Sequence, residues 1–205
     1  ATTLNFITTD CAVSAPMLQK ALSEIVKITY NCLSVDGDQS TNDTCMLMSN
    51  GIAGNPEICA EGKDFDTFKA ALYQVMANLT RMLAKDGEGA TKLLTCICSS
   101  APDLDTAIID AKSVIRSPLF KCAIGYAEAD FDISKVDVDL GSRVGRIAVC
   151  RNGAGVDFSE DEAKKILSED EIEIYIELNQ GKAQATAWGC DLTYDYVKIN
   201  GDYRS

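Results

Sequence analysis

Between residues 171 and 178 every second side chain is apolar, with Ile172, Ile174, Ile176 and Leu178 alternating against Glu171, Glu173, Tyr175 and Glu177. Only an extended chain puts residues two apart on one face, so this segment is predicted as a strand with one side buried and one side polar. Asn179-Gln180-Gly181 follows, a turn-forming sequence, and residues 182–188 are expected to run back as the second arm of a hairpin. Other segments repeat at helical spacing. Leu18, Leu22, Ile25 and Val26 follow Ser14 as N-cap and Pro16 in the first turn. Phe68, Leu72, Val75, Met76, Leu79 and Leu83 share one face of a helix over 66–85, stopped by Gly87. A third helix over 105–116 ends before Pro118.

Further strands are expected at 3–9, where Leu4, Phe6 and Ile7 are apolar, and at 93–98. The dense apolar run at 45–48 reads as a buried strand, and Val136, Val138 and Leu140 alternate with acids as a half-exposed strand does. Ser159 and Glu162 have capping-box spacing ahead of a short helix. Helices mixed with strands imply an α+β or layered α/β protein. With 205 residues and no repeat or evident linker, residues 1–205 read as a single compact unit.

Composition removes several classes of function. A net charge of −12 argues against nucleic acid, whose phosphates need a basic surface. No apolar run reaches the ~20 residues of a membrane span, and no basic-then-apolar signal opens the sequence, so no membrane partner and a cytoplasmic location are expected. Nine cysteines, an odd count in apolar surroundings, read as reduced thiols of a core. Cys96 and Cys98 share a strand face, but no second pair completes a zinc site, so no metal is expected. The sequence has no histidine, which excludes Ser-His-Asp and Cys-His chemistry within it. It has no initiator methionine and carries Thr2 one residue from its start. That suggests a beginning made by cleavage, although an end trimmed beside a threonine would read the same way. A threonine freed at an amino terminus has a hydroxyl nucleophile and an amine base in one residue.

Three further stretches concentrate polar chemistry. Residues 35–44 are acids, amides and hydroxyls with hardly an apolar side chain; they suit a structural turn, a buried hydrogen-bond network or a cation held through oxygen. In Asp86-Gly87-Glu88-Gly89-Ala90-Thr91-Lys92, a glutamate lies between glycines just past a helix. It reads either as a solvated acid in a C-cap or as a carboxylate placed to hold an ammonium group. The end of the sequence, 189–205, keeps aromatic and polar residues to the last position, as though tied down.

Taken together, these residues resemble the ornithine acetyltransferases, the glutamate N-acetyltransferases of arginine biosynthesis, whose precursor cleaves itself before a threonine. Ala1-Thr2-x-Leu4-x-Phe6-Ile7-x-Thr9-Asp10 resembles the family's cleavage region. The polar loop Asp36-Gly37-Asp38-x-Ser40-Thr41-Asn42-Asp43-Thr44, the Glu88 turn, and Ala187-Trp188-Gly189-Cys190-Asp191-Leu192-Thr193-Tyr194-Asp195-Tyr196-Val197 with Ile199-Asn200 match in order over nearly the whole length. The resemblance implies the β chain of such a precursor and a layered α-β-β-α sandwich with mixed sheets, of N-terminal-nucleophile type. It assigns the nucleophile to Thr2 and substrate binding to Thr2, Glu88, Asn200 and Ser205, although threonine is usual at the last position. The implied reaction is ping-pong. Acetyl passes from N-acetylornithine to Thr2 and then to glutamate, with no cofactor and with acetyl-CoA open as another donor. The implied partner is the α chain of the same precursor, in a dimer of α-β pairs.

Two features depart from the family. Ala1 stands ahead of Thr2, and after Lys121 a glycine-rich segment is missing, read as a loop left out of the sequence. Two other readings stand beside this one: an amidase or aminopeptidase on the same self-cleaving scaffold, and a non-catalytic amino-acid-binding subunit.

Overall fold

In the computed structural model, residues 2–117 and 131–202 are described. Ala1, the expected loop after Lys121, and Ser205 lie outside them. The elements are β1 (Leu4–Thr9), α1 (Ala15–Lys27), β2 (Leu33–Ser34), β3 (Thr44–Ser49), α2 (Lys63–Lys85), β4 (Leu93–Ala101) and α3 (Leu104–Arg116). They continue as β5 (Asp137–Ser142), β6 (Gly145–Arg151), β7 (Ala154–Gly155), α4 (Glu160–Leu167), β8 (Glu171–Glu177), β9 (Ala183–Cys190) and α5 (Tyr194–Gly201). The fold is α+β with one parallel pair of strands and one mixed sheet. Among the described residues, no helix is long and apolar enough to cross a membrane.

Where the sequence reads as one compact unit, the contacts group into two. The first runs to Asn31 and resumes over Asp38–Leu79; the second holds Cys32–Gly37 and everything from Thr80. The reason lies in the core. Ile7, Val13, Ala21, Ile25, Ile58, Phe65, Leu72 and Met76 form a hydrophobic cluster confined to the first unit. Strands from the second unit build a separate sheet.

In the first unit β1 and β3 pair in parallel, from Leu4 opposite Thr44 to Thr9 opposite Ser49. Their inner residues, such as Ile7 and Leu47, join the cluster with Ile25 of α1 and Met76 of α2. The outer face does not. Leu4 and Phe6 are 60% and 61% exposed, and Met46 and Met48 are 45% and 43% exposed. The run at 45–48 is therefore a half-exposed strand, not the buried one expected, because side chains alternate and this sheet has a single partner strand to pack with. α2 begins at Lys63, earlier than expected, and buries Phe65 while Val75 stays 48% exposed.

The second unit is organised by a seven-stranded sheet in the order β2-β9-β4-β8-β5-β6-β7. The alternation at 171–178 behaves as read: Ile172, Ile174 and Ile176 are buried and the acids of β8 face the other way. The hairpin does not form. β8 runs parallel to β4 and β9 antiparallel to it, so β4 lies between the two expected arms. The 179–182 connection crosses the end of β4, where Leu178 and Gln180 donate to the carbonyls of Ser99 and Ser100. A side chain on Gly181 would collide with the Ala101 carbonyl, which explains a glycine there without any hairpin turn. Alternation fixes which face of a strand is buried; it carries no information on which strand is its neighbour.

α3 covers one face of this sheet, against β9 and β4. Asp103 caps it by accepting from the Thr106 N–H, and Ser159 caps α4 by accepting from the Glu162 N–H, as its spacing predicts. Cys96 and Cys98 are wholly buried on this helix-covered face. Burial pushes the thiols of both far above their usual range.

Candidate functional site

Thr2 sits in the first unit, exposed, just ahead of β1. Its Oγ1 lies 2.8 Å from Ser40 Oγ in the polar loop. The same loop holds the following residue: Thr3 donates its N–H to Asp43 at 2.8 Å, and the Thr44 N–H donates to the Thr3 carbonyl at 2.9 Å. Ser40 Oγ also accepts the Asn42 N–H at 3.1 Å, and the Thr41 hydroxyl donates to the Asn42 side chain. Of the readings open for residues 35–44, the geometry favours a hydrogen-bonded turn that holds the start of β1. No group of three or more Cys, Asp or Glu residues among the described ones is arranged to hold a metal ion.

Glu88 and Asn200 meet in the second unit. The Asn200 amide donates to Glu88 Oε2 at 2.8 Å and to the Tyr196 carbonyl one helical turn back at 3.0 Å. Glu88 rides a tight turn closed by the Ala90 N–H on the Gly87 carbonyl, directly after α2. Asn200 lies in the last turn of α5. Of the segment expected to be tied down, residues 191–196 are held by hydrogen bonds that reach residues 36 and 89–92, and residues 203–205 lie outside the described residues. Asp191 accepts the Thr91 and Lys92 N–H groups at 2.8 Å each and the Thr91 hydroxyl at 2.6 Å. Thr193 caps α5 by accepting the Tyr196 N–H and donates its hydroxyl to the Gly89 carbonyl at 2.6 Å. Tyr196 reaches Asp36 at 3.0 Å. Burial alone would raise the Asp191 pKa, but its hydrogen bonds from Thr91 and Lys92 outweigh that and hold the carboxyl below its usual 3.8.

Thr2 and Ser40 thus form one pair, and Glu88 and Asn200 another, each within its own unit. Reading the sequence missed the role of Ser40, because a serine in a polar loop carries no sign of which residue nearly forty positions away it will touch. It also gave Asp191 and Thr193 no role beyond their place in the C-terminal motif.

The geometry makes Gly89 a sensitive position. Its φ is +66°, and a Cβ there would stand 2.7 Å from the Tyr196 nitrogen and 2.9 Å from the Asp195 carbonyl carbon. Gly89→Ala is expected to push the first turn of α5 off the Glu88 turn and cost about 1–3 kcal/mol. A lowered denaturation midpoint and faster tryptic cleavage at Lys198 would register it; an unchanged midpoint would contradict the close approach.

The profile of the ArgJ family matches residues 1–205. The chain is 48% identical to the arginine biosynthesis bifunctional protein ArgJ 1 of Clostridium acetobutylicum, covering 100% of this chain and 54% of that protein. It is 44% identical to the arginine biosynthesis bifunctional protein ArgJ of Thermotoga neapolitana, covering 100% of this chain and 55% of that protein. The chain therefore spans about half the length of the curated relatives it matches. The first alignment runs over 219 positions, more than the 205 residues here, so that relative carries residues this sequence lacks. Among solved structures, the crystal structure of the arginine biosynthesis bifunctional protein argJ from Bacillus halodurans superposes with a TM-score of 0.92 at 37% identity, over 98% of this chain and all of that one. With one profile matched end to end and the α+β architecture reproduced in a solved member, the chain belongs to the ArgJ family.

Proposed function

We propose that this chain is the β chain of an ornithine acetyltransferase, the C-terminal product of a precursor that cuts itself before Thr2. Thr2 Oγ attacks the acetyl carbonyl carbon of N-acetylornithine, and the freed α-amine of Thr2 takes the hydroxyl proton. The amide C–N bond breaks as that proton passes to the departing nitrogen, releasing ornithine and leaving an acetyl ester on Thr2. The amine of glutamate then attacks the ester, N-acetylglutamate leaves, and the Thr2 hydroxyl is restored. No cofactor is needed, and acetyl-CoA serves as a second donor if its thioester reaches the same oxygen.

One observation carries this reading. Thr2 is exposed in a chain without histidine, and among the described residues its hydroxyl has one side-chain hydrogen-bonding neighbour, Ser40 at 2.8 Å. A nucleophile in that setting needs a base of its own, which a terminal amine supplies. The Glu88 carboxylate suits the α-nitrogen that both substrates carry, accepting from the amide N–H of N-acetylornithine and from the amino group of glutamate, with Asn200 orienting it. Ser205 stands where the family uses a terminal threonine hydroxyl.

The partner is the α chain of the same precursor, with α-β pairs associating as dimers in the cytoplasm. Parallel strands are ordinarily covered on both faces, yet the β1–β3 pair leaves Leu4, Phe6, Met46 and Met48 open. The other half of the precursor is the natural cover.

The test is the amino-terminal sequence and intact mass of the β chain made from the full-length precursor, before and after incubation with N-acetylornithine. A chain starting at Thr2 that gains one acetyl group there is expected. A chain that starts at Ala1, or that stays unacetylated, would overturn the mechanism. Acetate release without glutamate would instead favour the hydrolase reading.

A further inference from the structure

Glu88 is an unusual choice for a rigid contact, since the glycines on both sides loosen its backbone. The turn must be stiffened from outside, and the structure shows by what. Asp191 spends three acceptor sites on it, taking the N–H groups of Thr91 and Lys92 on Oδ1 and the Thr91 hydroxyl on Oδ2. Two residues on, Thr193 gives its only proton to the Gly89 carbonyl and accepts the Tyr196 N–H with the same oxygen. The donor and acceptor demands on that hydroxyl are thus both met. Gly89 lets the first turn of α5 approach to the point where a Cβ would touch the Tyr196 nitrogen. The Glu88 turn and α5 are consequently held together by hydrogen bonds at Gly89, Thr91 and Lys92, just after Glu88 in the chain, and the Glu88–Asn200 contact spans the two.

We infer that Asp191, assisted by Thr193, is a positioning residue: it sets the distance and angle between Glu88 and Asn200 and so the fit of the substrate α-nitrogen, amide in the donor and amine in the acceptor. The inference rests on the reading of Glu88 as the residue that binds that nitrogen. Asp191 does not touch the substrate in this scheme; it acts through Glu88. Misplacement of a binding group by about 1 Å costs on the order of 100-fold in rate. The carboxylate geometry also predicts a specific rescue. In Asp191→Asn the amide oxygen can keep both N–H bonds, and the amide NH2 can donate to the Thr91 hydroxyl, which is able to reverse its role.

The experiment measures kcat and KM of the complete enzyme, made from its full-length precursor, for N-acetylornithine and glutamate. Asp191→Ala is expected to raise both KM values at least about tenfold with a smaller change in kcat, and Asp191→Asn to stay within about threefold of wild type. Thr193→Val, which removes the hydroxyl link to Gly89 together with the side-chain cap of α5, is expected to raise both KM values in the same direction, and it covers the case in which Asp191→Ala does not fold. In an enzyme already carrying Glu88→Ala, adding Asp191→Ala or Thr193→Val is expected to change KM little, because the group being positioned is gone. If Glu88→Ala alone leaves both KM values unchanged, the assignment of Glu88 fails and the inference with it. If Glu88→Ala weakens binding while the positioning variants do nothing, or act as strongly without Glu88 as with it, the positioning role alone is overturned.

Discussion

Thr2→Ala is expected to leave the precursor uncut and to lower kcat/KM for acetyl transfer by at least about 10⁴-fold. The substitution removes the one oxygen that the proposed mechanism uses in both half-reactions, and no second nucleophile with a histidine base exists in the chain. What the variant loses structurally is small: an exposed hydroxyl and its contact with Ser40, ahead of the first residue of β1. Stability should stay within about 0.5 kcal/mol of wild type, so a loss of activity cannot be assigned to unfolding. Thr2→Ser keeps both hydroxyl and amine and should retain cleavage and measurable transfer. Gel analysis of cleavage and steady-state kinetics with both substrates read the two variants. Transfer retained by the alanine variant would remove Thr2 from the mechanism.

The second large effect concerns Asp110. It lies on the face of α3 turned to the sheet and is wholly buried, and among the described residues no nitrogen or oxygen donor reaches either carboxylate oxygen, leaving the Cys98 thiol beside it. Burial raises its pKa from the ordinary 3.8 to about 6, with only the neighbouring Cys98 thiol acting against this. A group whose pKa is raised on folding contributes stability that is present below its unfolded value and is lost as pH climbs through its folded value. Here the loss falls between about pH 4 and pH 7 and amounts to about 3 kcal/mol. Asp110→Asn cannot ionise. It is expected to be no more stable than wild type at pH 4, because a buried amide also lacks partners, and to gain about 3 kcal/mol relative to wild type by pH 8. Carboxyls held low, such as Asp191, Asp139 and Glu171, lose their contribution at acid pH instead, but they are common to both proteins and cancel in the difference. Chemical denaturation of both proteins across this range measures it. A stability difference that does not change with pH would show that Asp110 is solvated or paired.

How far the sequence could be read depended on whether a feature is local. Helices announced themselves through side chains at helical spacing and through caps whose partners lie three residues away, as with Ser159 and Glu162. β8 was legible because its burial alternates within seven residues. The hairpin failed for the opposite reason. β4, which separates β8 from β9, lies some eighty residues earlier, and nothing in the turn between them records its presence. β6 went unrecognised because it lacks clean alternation: Gly145 and Arg146 are exposed and the five residues after them are all intermediate in burial. The candidate site divides in the same way. Thr2, Glu88 and Asn200 were reached through long motifs, whereas Ser40, Asp191 and Thr193 acquired roles only when the chain brought them to partners 38, 100 and 104 positions away.

By itself the sequence determined the α+β class, the helices with their caps, the absence of histidine chemistry, and which residues resemble a nucleophile and an amine-binding glutamate. Periodicity and composition act over one or two turns of chain, so they need no tertiary context. Tertiary structure alone decided the order of the seven strands, the exposed face of β1 and β3, the isolation of Asp110, and the carboxylate that fastens the Glu88 turn to α5. Each of these is a contact between distant residues, chosen by how complementary surfaces pack and by which buried polar groups find partners, and neither is written in any short stretch of chain.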